Sequence, residues 1–194
     1  GIYIWGTQVE QAISYPTSYI PTNGSAATRS AETANGSGDA DTFNDSEGVL
    51  MAEISALDEV HSSNKIISLS DGSSSNALLL YYSIGTNKIN IFDGTNIGSF
   101  TAPNIKTFNK VAVRYNSNST TLWVNGVEVV SIAPKVFSGF NVLNFTNEND
   151  ILPFYGNTKQ IQYYNSALTD SDLEQLTSWV SFQEMAEGQL YTIE

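Results

Sequence analysis

Trp123, Arg114 and Glu128 are the residues of this 194-residue chain whose types best suit recognition chemistry. An indole stacks on the apolar face of a pyranose, and guanidinium and carboxylate forks bind hydroxyls, so together the three would make a sugar platform. Only a hairpin brings them together. Asn125-Gly126 is a two-residue type I′ turn signal that pairs Val124 with Val127, Trp123 with Glu128, and Leu122 with Val129. With the loop NSNS at 116–119, Tyr115 then faces Thr120, Arg114 faces Thr121 and Ala112 faces Trp123. Alternation puts Val111, Val113, Tyr115, Leu122, Val124, Val127 and Val129 on a core face, and Ala112, Arg114, Thr121, Trp123 and Glu128 on the opposite one. That outer face has three readings. It is a sugar platform, an ordinary Arg–Trp cross-strand stack, or a surface covered by the N-terminal arm or a neighbouring chain.

Other chemistry is thinly provided for. The absence of cysteine removes disulfides, thiolate zinc sites and Cys nucleophiles. The single histidine, His61, sits in the polar turn DEVHSSN with no partner pattern and reads as a solvated loop residue. There is no GxSxG, P-loop or dinucleotide fingerprint, and GTNIGS at 94–99 reads as a Gly-containing turn. Eight Lys+Arg against 20 Asp+Glu give a net charge of −12, which repels phosphate backbones and anionic lipid, so nucleic acid is not an expected partner. The longest strongly apolar run, NALLLYY at 76–82, is far short of the ~20 residues of a membrane helix, and no membrane insertion is expected. Only 14% of residues are charged while Ser, Thr and Asn abound, a surface chemistry that suits β-rich extracellular or virion proteins.

The elements that must position these residues are short and numerous. Apolar runs at 49–55, 65–70, 77–83, 88–92, 108–115, 120–124, 127–132, 142–145 and 159–165 are separated by turn residues such as DG, GTN and NG. Nine candidate strands at this spacing predict an all-β antiparallel sandwich or barrel. One helix is expected near the C-terminus: Thr169 followed by Asp172 is a capping box, and Leu173, Leu176, Trp179 and Val180 form its apolar side. After it, SFQEMAEGQLYTIE is read as a further helical turn and a terminal strand at 189–193. Residues 1–42 are expected to be a strand, GIYIW, with an extended Pro- and Gly-containing arm, and 43–194 the sandwich. Residue 1 is Gly and no leader is evident, so the chain reads as an excised fragment.

VAVRYNSNSTTLWVNGVEV, followed by FYGNTKQIQYYNSALTDSDLEQL, resembles the laminin G-like, concanavalin A-like jelly roll. Leu122–Gly126 match its L-Y-V-N-G segment. Ile161, Tyr163, Tyr164, Asn165, Ala167, Leu168, Thr169 and Asp172 match its late strand. The resemblance implies two antiparallel sheets face to face, a fold that hosts lectins, glycanases, adhesion modules and spacers. Its glycanase branch carries E-x-D-x-x-E on one strand, the paired acids supplying nucleophile and acid/base. Here the nearest stretch runs from Glu53 to Asp58 and Glu59, with Ser55 where the middle acid would stand, so catalysis is not expected. Laminin G-like domains often bind calcium, and Asp39, Asp41, Asp45, Asp71, Asp93 and Asp150 leave a structural calcium open without fixing its ligands.

The arm WGTQVEQAISYPTSYIPTNGSAATRSAE resembles a segment of tail fibre and other virion proteins of tailed bacteriophages. That resemblance implies a virion location, a host cell-surface glycan and other virion tail proteins as partners, and a homotrimer. The expected function is therefore a non-catalytic carbohydrate-binding, host-recognition module. The alternatives are a purely structural spacer or assembly domain and, third, a glycan hydrolase or lyase.

Overall fold

In the computed structural model, which describes residues 36–58 and 62–188 together with positions 1, 19, 21–25 and 27, the register expected for 111–132 holds through the turn and then slips. Asn125 and Gly126 both have positive φ, 50° and 88°, as a type I′ turn requires. Val124 pairs with Val127 and Trp123 with Glu128, but Leu122 meets Val130 rather than Val129. A bulge leaves Val129 out of the pairing, and Val129, Val130 and Ile132 all pack against the core. Val127, expected in the core, is 58% exposed.

Among the described residues, ten strands build two antiparallel sheets. They are β1 (Gly48–Ala56), β2 (Lys65–Ser70), β3 (Ala77–Tyr82), β4 (Lys88–Phe92), β5 (Ile97–Thr101), β6 (Asn109–Tyr115), β7 (Thr120–Val124), β8 (Val127–Ile132), β9 (Val142–Asn144) and β10 (Gly156–Tyr164). One sheet has the order β10-β1-β6-β7-β8 and the other β5-β4-β3-β2-β9. The expected β-sandwich is the observed one, and nine of its strands coincide with the nine apolar runs. The tenth, β5, begins inside GTNIGS at 94–99, which the sequence presents as a turn. Its Gly98 faces inward where a Cβ would lie 2.5 Å from Val130 Cγ1 and 2.9 Å from Ile91 Cγ1, so a side chain is excluded by the approach of β8, not by a turn.

The inner faces form one core that includes Leu50, Ile67, Leu80, Tyr82, Ile91, Val113, Tyr115, Leu122 and Phe140. Residues 1–33 and 34–194 form separate units. Residues 36–42, assigned to the arm on composition, join the sandwich: Ser37 bridges Leu143, and the Gly36 N–H donates to Asn144 Oδ1 at 2.8 Å. Just beyond, Tyr115 Oη donates to the Asn44 carbonyl at 2.5 Å and the Asn44 N–H donates to Tyr163 Oη at 2.9 Å. Burial, then Tyr163, pushes the Tyr115 phenol far above its usual range, so it stays a neutral donor.

The expected capping box exists and opens α1 (Asp170–Thr177); a second short helix, α2 (Phe182–Gly188), follows where one more turn was expected. The expected strands at 1–5 and 189–193, His61, and most of the arm lie outside the described residues. No described helix is long and apolar enough to cross a membrane.

Candidate functional site

The structure brings Trp123, Arg114 and Glu128 together on the outer face of the β6–β7–β8 sheet, as the hairpin register requires, and then covers them. The indole is 7% exposed and packs in a second hydrophobic cluster with Val49, Met51, Ala112 and Leu173, flanked by Tyr164, Leu168 and Leu176. Leu173 comes from α1. The cover is thus the chain's own helix, and with α1 seated the indole has no face open to a sugar or to a neighbouring chain. Nor is Arg114 a free fork. Its Nη1 donates to the Leu168 carbonyl at 3.1 Å and to Asp170 Oδ1 at 2.5 Å, and Nη2 lies 4.0 Å from Glu128 Oε2.

Arg114 is one of two cationic clamps on a single strand. Lys110, on the same face of β6, donates from Nζ to the Ser178 carbonyl at 3.1 Å and to Glu184 Oε1 at 3.2 Å, under the Trp179 ring at 4.8 Å. Four residues of strand span about 13 Å, and eight residues of helix about 12 Å, so the clamps match the two ends of α1. Between them the small Ala112 admits Leu173. At the C-terminal end the hairpin turn also touches α1: the Gly126 N–H donates to Thr177 Oγ1 at 3.0 Å, and a Cβ on Gly126 would lie 2.5 Å from Ser178 Oγ. Alternation places Ala112, Arg114 and Trp123 on this face, but neither the clamp of Lys110 on Ser178 and Glu184 nor the return of α1 over the face is legible in the sequence.

Beyond the helix the same sheet face is polar toward β10, where Gln160 and Gln162 are half-buried while Met51, Glu53 and Ser55 of β1 are buried. Along β1 the outward residues are Met51, Glu53 and Ser55, and they face Gln162, Gln160 and Asn157 of β10. Tyr164 Oη donates to Gln162 Oε1 at 2.5 Å, Gln162 Nε2 donates to Gln160 Oε1 at 3.2 Å, and Gln160 Nε2 approaches Glu53 Oε2 at 3.5 Å. Glu53 Oε1 also holds Lys159 Nζ at 2.9 Å, and that ammonium lies 4.2 Å from the centre of the Phe108 ring. Lys159 reaches Glu53 because a bulge in β10 lets it share the face with Gln160. Glu53 in turn faces Lys110 across β6. The result is a ladder of tyrosine, two carboxamides and a carboxylate, flanked by aromatic-capped lysines. Planar amide and carboxylate groups with spare donors and acceptors are suited to hydroxyl-rich ligands.

The carboxylates singled out in the sequence have structural employment. Ser55 does share the face of Glu53, and its Oγ accepts from Asn157 Nδ2 at 3.2 Å, so no second acid stands there. Asp58 falls past the end of β1, and Glu59 lies outside the described residues. Asp45 accepts the N–H groups of Gly139 and Phe140 at 2.6 and 2.8 Å, Asp71 that of Ser73 at 2.8 Å, and Asp93 those of Thr95 and Asn96 at 3.0 and 2.6 Å. Asp39 is held below the usual carboxylate range by the Thr42 hydroxyl and then its N–H, and its Oδ1 also accepts from Asp41. Asp150 Oδ1 accepts from Asn144 Nδ2 at 3.2 Å. Among the described residues no group of three or more His, Asp or Glu is placed to hold a metal ion.

No protein-family model and no curated protein matches the sequence. Solved structures do match in fold. The CBM40 of the Ruminococcus gnavus IT-sialidase, bound to α2,6-sialyllactose, superposes with a TM-score of 0.59 at 16% identity, covering 76% of this chain and 96% of that one. The same CBM40 bound to α2,3-sialyllactose gives 0.56 at 17% identity, covering 77% and 97%. The leech intramolecular trans-sialidase complexed with 2,7-anhydro-Neu5Ac gives 0.54 at 19% identity, covering 72% of this chain but 24% of that one. At these identities the likeness establishes the fold alone, a jelly-roll β-sandwich of two antiparallel sheets.

Proposed function

We propose that this domain binds carbohydrate without cleaving it, as the host-surface recognition module of a tailed-phage tail fibre or similar virion appendage. One observation carries the binding half: the sandwich spans almost the whole of a CBM40 bound to sialyllactose, 96% of its length. The non-catalytic half is supported by Glu53, whose carboxylate is spent on Lys159 and Gln160 and has serine, not a second acid, beside it on its strand. The virion half rests on the tail-fibre resemblance of residues 5–32, which also supports a homotrimer with other tail proteins as neighbours. Multivalent display would make weak single-site affinity sufficient for adsorption.

The test is a glycan array probed with the intact chain, with light scattering on the same preparation. Saccharide binding without release of reducing sugar is the expected result. A chain that retains no saccharide at millimolar concentration refutes the binding reading, and cleavage of a bound glycan refutes the non-catalytic one. A solution mass near 21 kDa at micromolar concentration refutes the trimer for these residues.

A further inference from the structure

Resting on the carbohydrate-binding reading, we infer that the saccharide is uncharged and lies along β10, over Gln160 and Gln162. Three observations lead there. The first is hydrogen-bond capacity. A carboxamide has two N–H donors and an oxygen with two lone pairs. Gln162 spends one donor on Gln160 and one lone pair on Tyr164, and Gln160 spends one lone pair on Gln162 and offers Glu53 only a long 3.5 Å contact. Each amide therefore keeps a donor and an acceptor. A sugar hydroxyl, which both donates and accepts, uses such a pair fully.

The second is access. Lys159 at the strip's margin has a side chain 49% exposed, and Gln160 and Gln162 are half-buried. The indole of Trp123, by contrast, is sealed. Groups that are fixed by neighbours yet reachable bind with little ordering cost.

The third is charge. Among the described residues, the three cations on this sheet face hold a carboxylate already: Lys110 holds Glu184, Arg114 holds Asp170, and Lys159 holds Glu53. A sialic or uronic acid would have to displace one of these partners, and would approach a chain of net charge −12. A neutral pyranose meets neither obstacle. The domain thus shares the fold of sialyllactose-bound modules while presenting on this face the chemistry of a neutral-glycan site.

The intact chain, Gln160→Ala and Gln162→Ala are compared on an array of neutral gluco-, galacto-, manno- and N-acetylhexosamine oligosaccharides and their sialylated counterparts, with melting temperatures recorded. The expected result is binding of neutral members, weakened about tenfold in each variant at unchanged melting temperature, as loss of a hydrogen bond of about 1.4 kcal/mol predicts. If nothing on the array is bound, the carbohydrate reading itself falls. If neutral glycans bind equally to all three proteins, the site is elsewhere and the carbohydrate reading stands. If only sialylated members bind, the assignment of an uncharged ligand is overturned.

Discussion

Replacing Trp123 by alanine separates a covered indole from a ligand platform more cleanly than any other single change. The indole is 7% exposed, and Val49, Met51, Ala112 and Leu173 around it are fully buried. Its Nε1 has no acceptor among the described residues, so the variant forfeits no hydrogen bond and the cost is transfer plus cavity. Buried Trp→Ala changes of this kind cost about 3–5 kcal/mol. At roughly 2–4 °C per kcal/mol for a chain of this length, the melting temperature should fall by roughly 6–20 °C. Urea unfolding followed by circular dichroism supplies the midpoint and slope. A second arm tests the contact itself: Leu173→Ala should be destabilising on its own, and the double variant should miss additivity by about 0.5–3 kcal/mol because both residues line one cavity. Glycan binding by the folded fraction should be retained. An unchanged melting temperature together with lost glycan binding would refute the covered indole and restore the platform.

Gly98→Ala places a Cβ 2.5 Å from Val130 Cγ1, and overpacking of that kind should cost about 1–3 kcal/mol in urea titration; a neutral result would mean that the β5 and β8 edges part easily. Thr169→Ala removes the hydroxyl that accepts the Asp172 N–H at 3.2 Å and donates to Asp172 Oδ2 at 2.6 Å, for about 1 kcal/mol, while Thr169→Ser should restore most of it. Glu184 is held below its ordinary value of 4.5 by the Val180 N–H and then by Lys110. A depressed folded pKa means that its tie stabilises above 4.5 and is lost as pH falls through the lower folded value. Tryptophan emission near Lys110 should therefore change only below that ordinary value and stay flat in Glu184→Gln; a midpoint at or above it would refute the tie.

Local chemistry explains what could be read in advance. The hairpin at Asn125-Gly126 was legible because a type I′ turn demands positive φ at two adjacent residues, which few pairs other than Asn-Gly tolerate, and register then follows from alternation. The α1 cap was legible because Thr169 and Asp172 bond each other within one turn. Nine strands were legible because each carries its own apolar run. The slip at Val129 and the strand hidden in IGSFT were not, since the first depends on how β8 meets the inner face and the second on a glycine required by a strand of the other sheet.

The candidate site divides in the same way. Residue types and alternation alone determined that Arg114, Trp123 and Glu128 share one face, and so they do. Whether that face meets water, a glycan or protein depends on a helix some fifty residues further along the chain, and nothing local to the hairpin encodes its return. Two clamps four residues apart hold it there: Arg114 binds the Leu168 carbonyl and the Asp170 carboxylate at the start of α1, and Lys110 binds the Ser178 carbonyl at its end and the Glu184 carboxylate of α2. Those partners are non-local, so neither periodicity nor turn chemistry announces them. The Gln160–Gln162–Glu53 ladder escaped for the same reason: in sequence it is two amides on one strand and an acid over a hundred residues away, and only antiparallel pairing of β1 with β10 makes them neighbours.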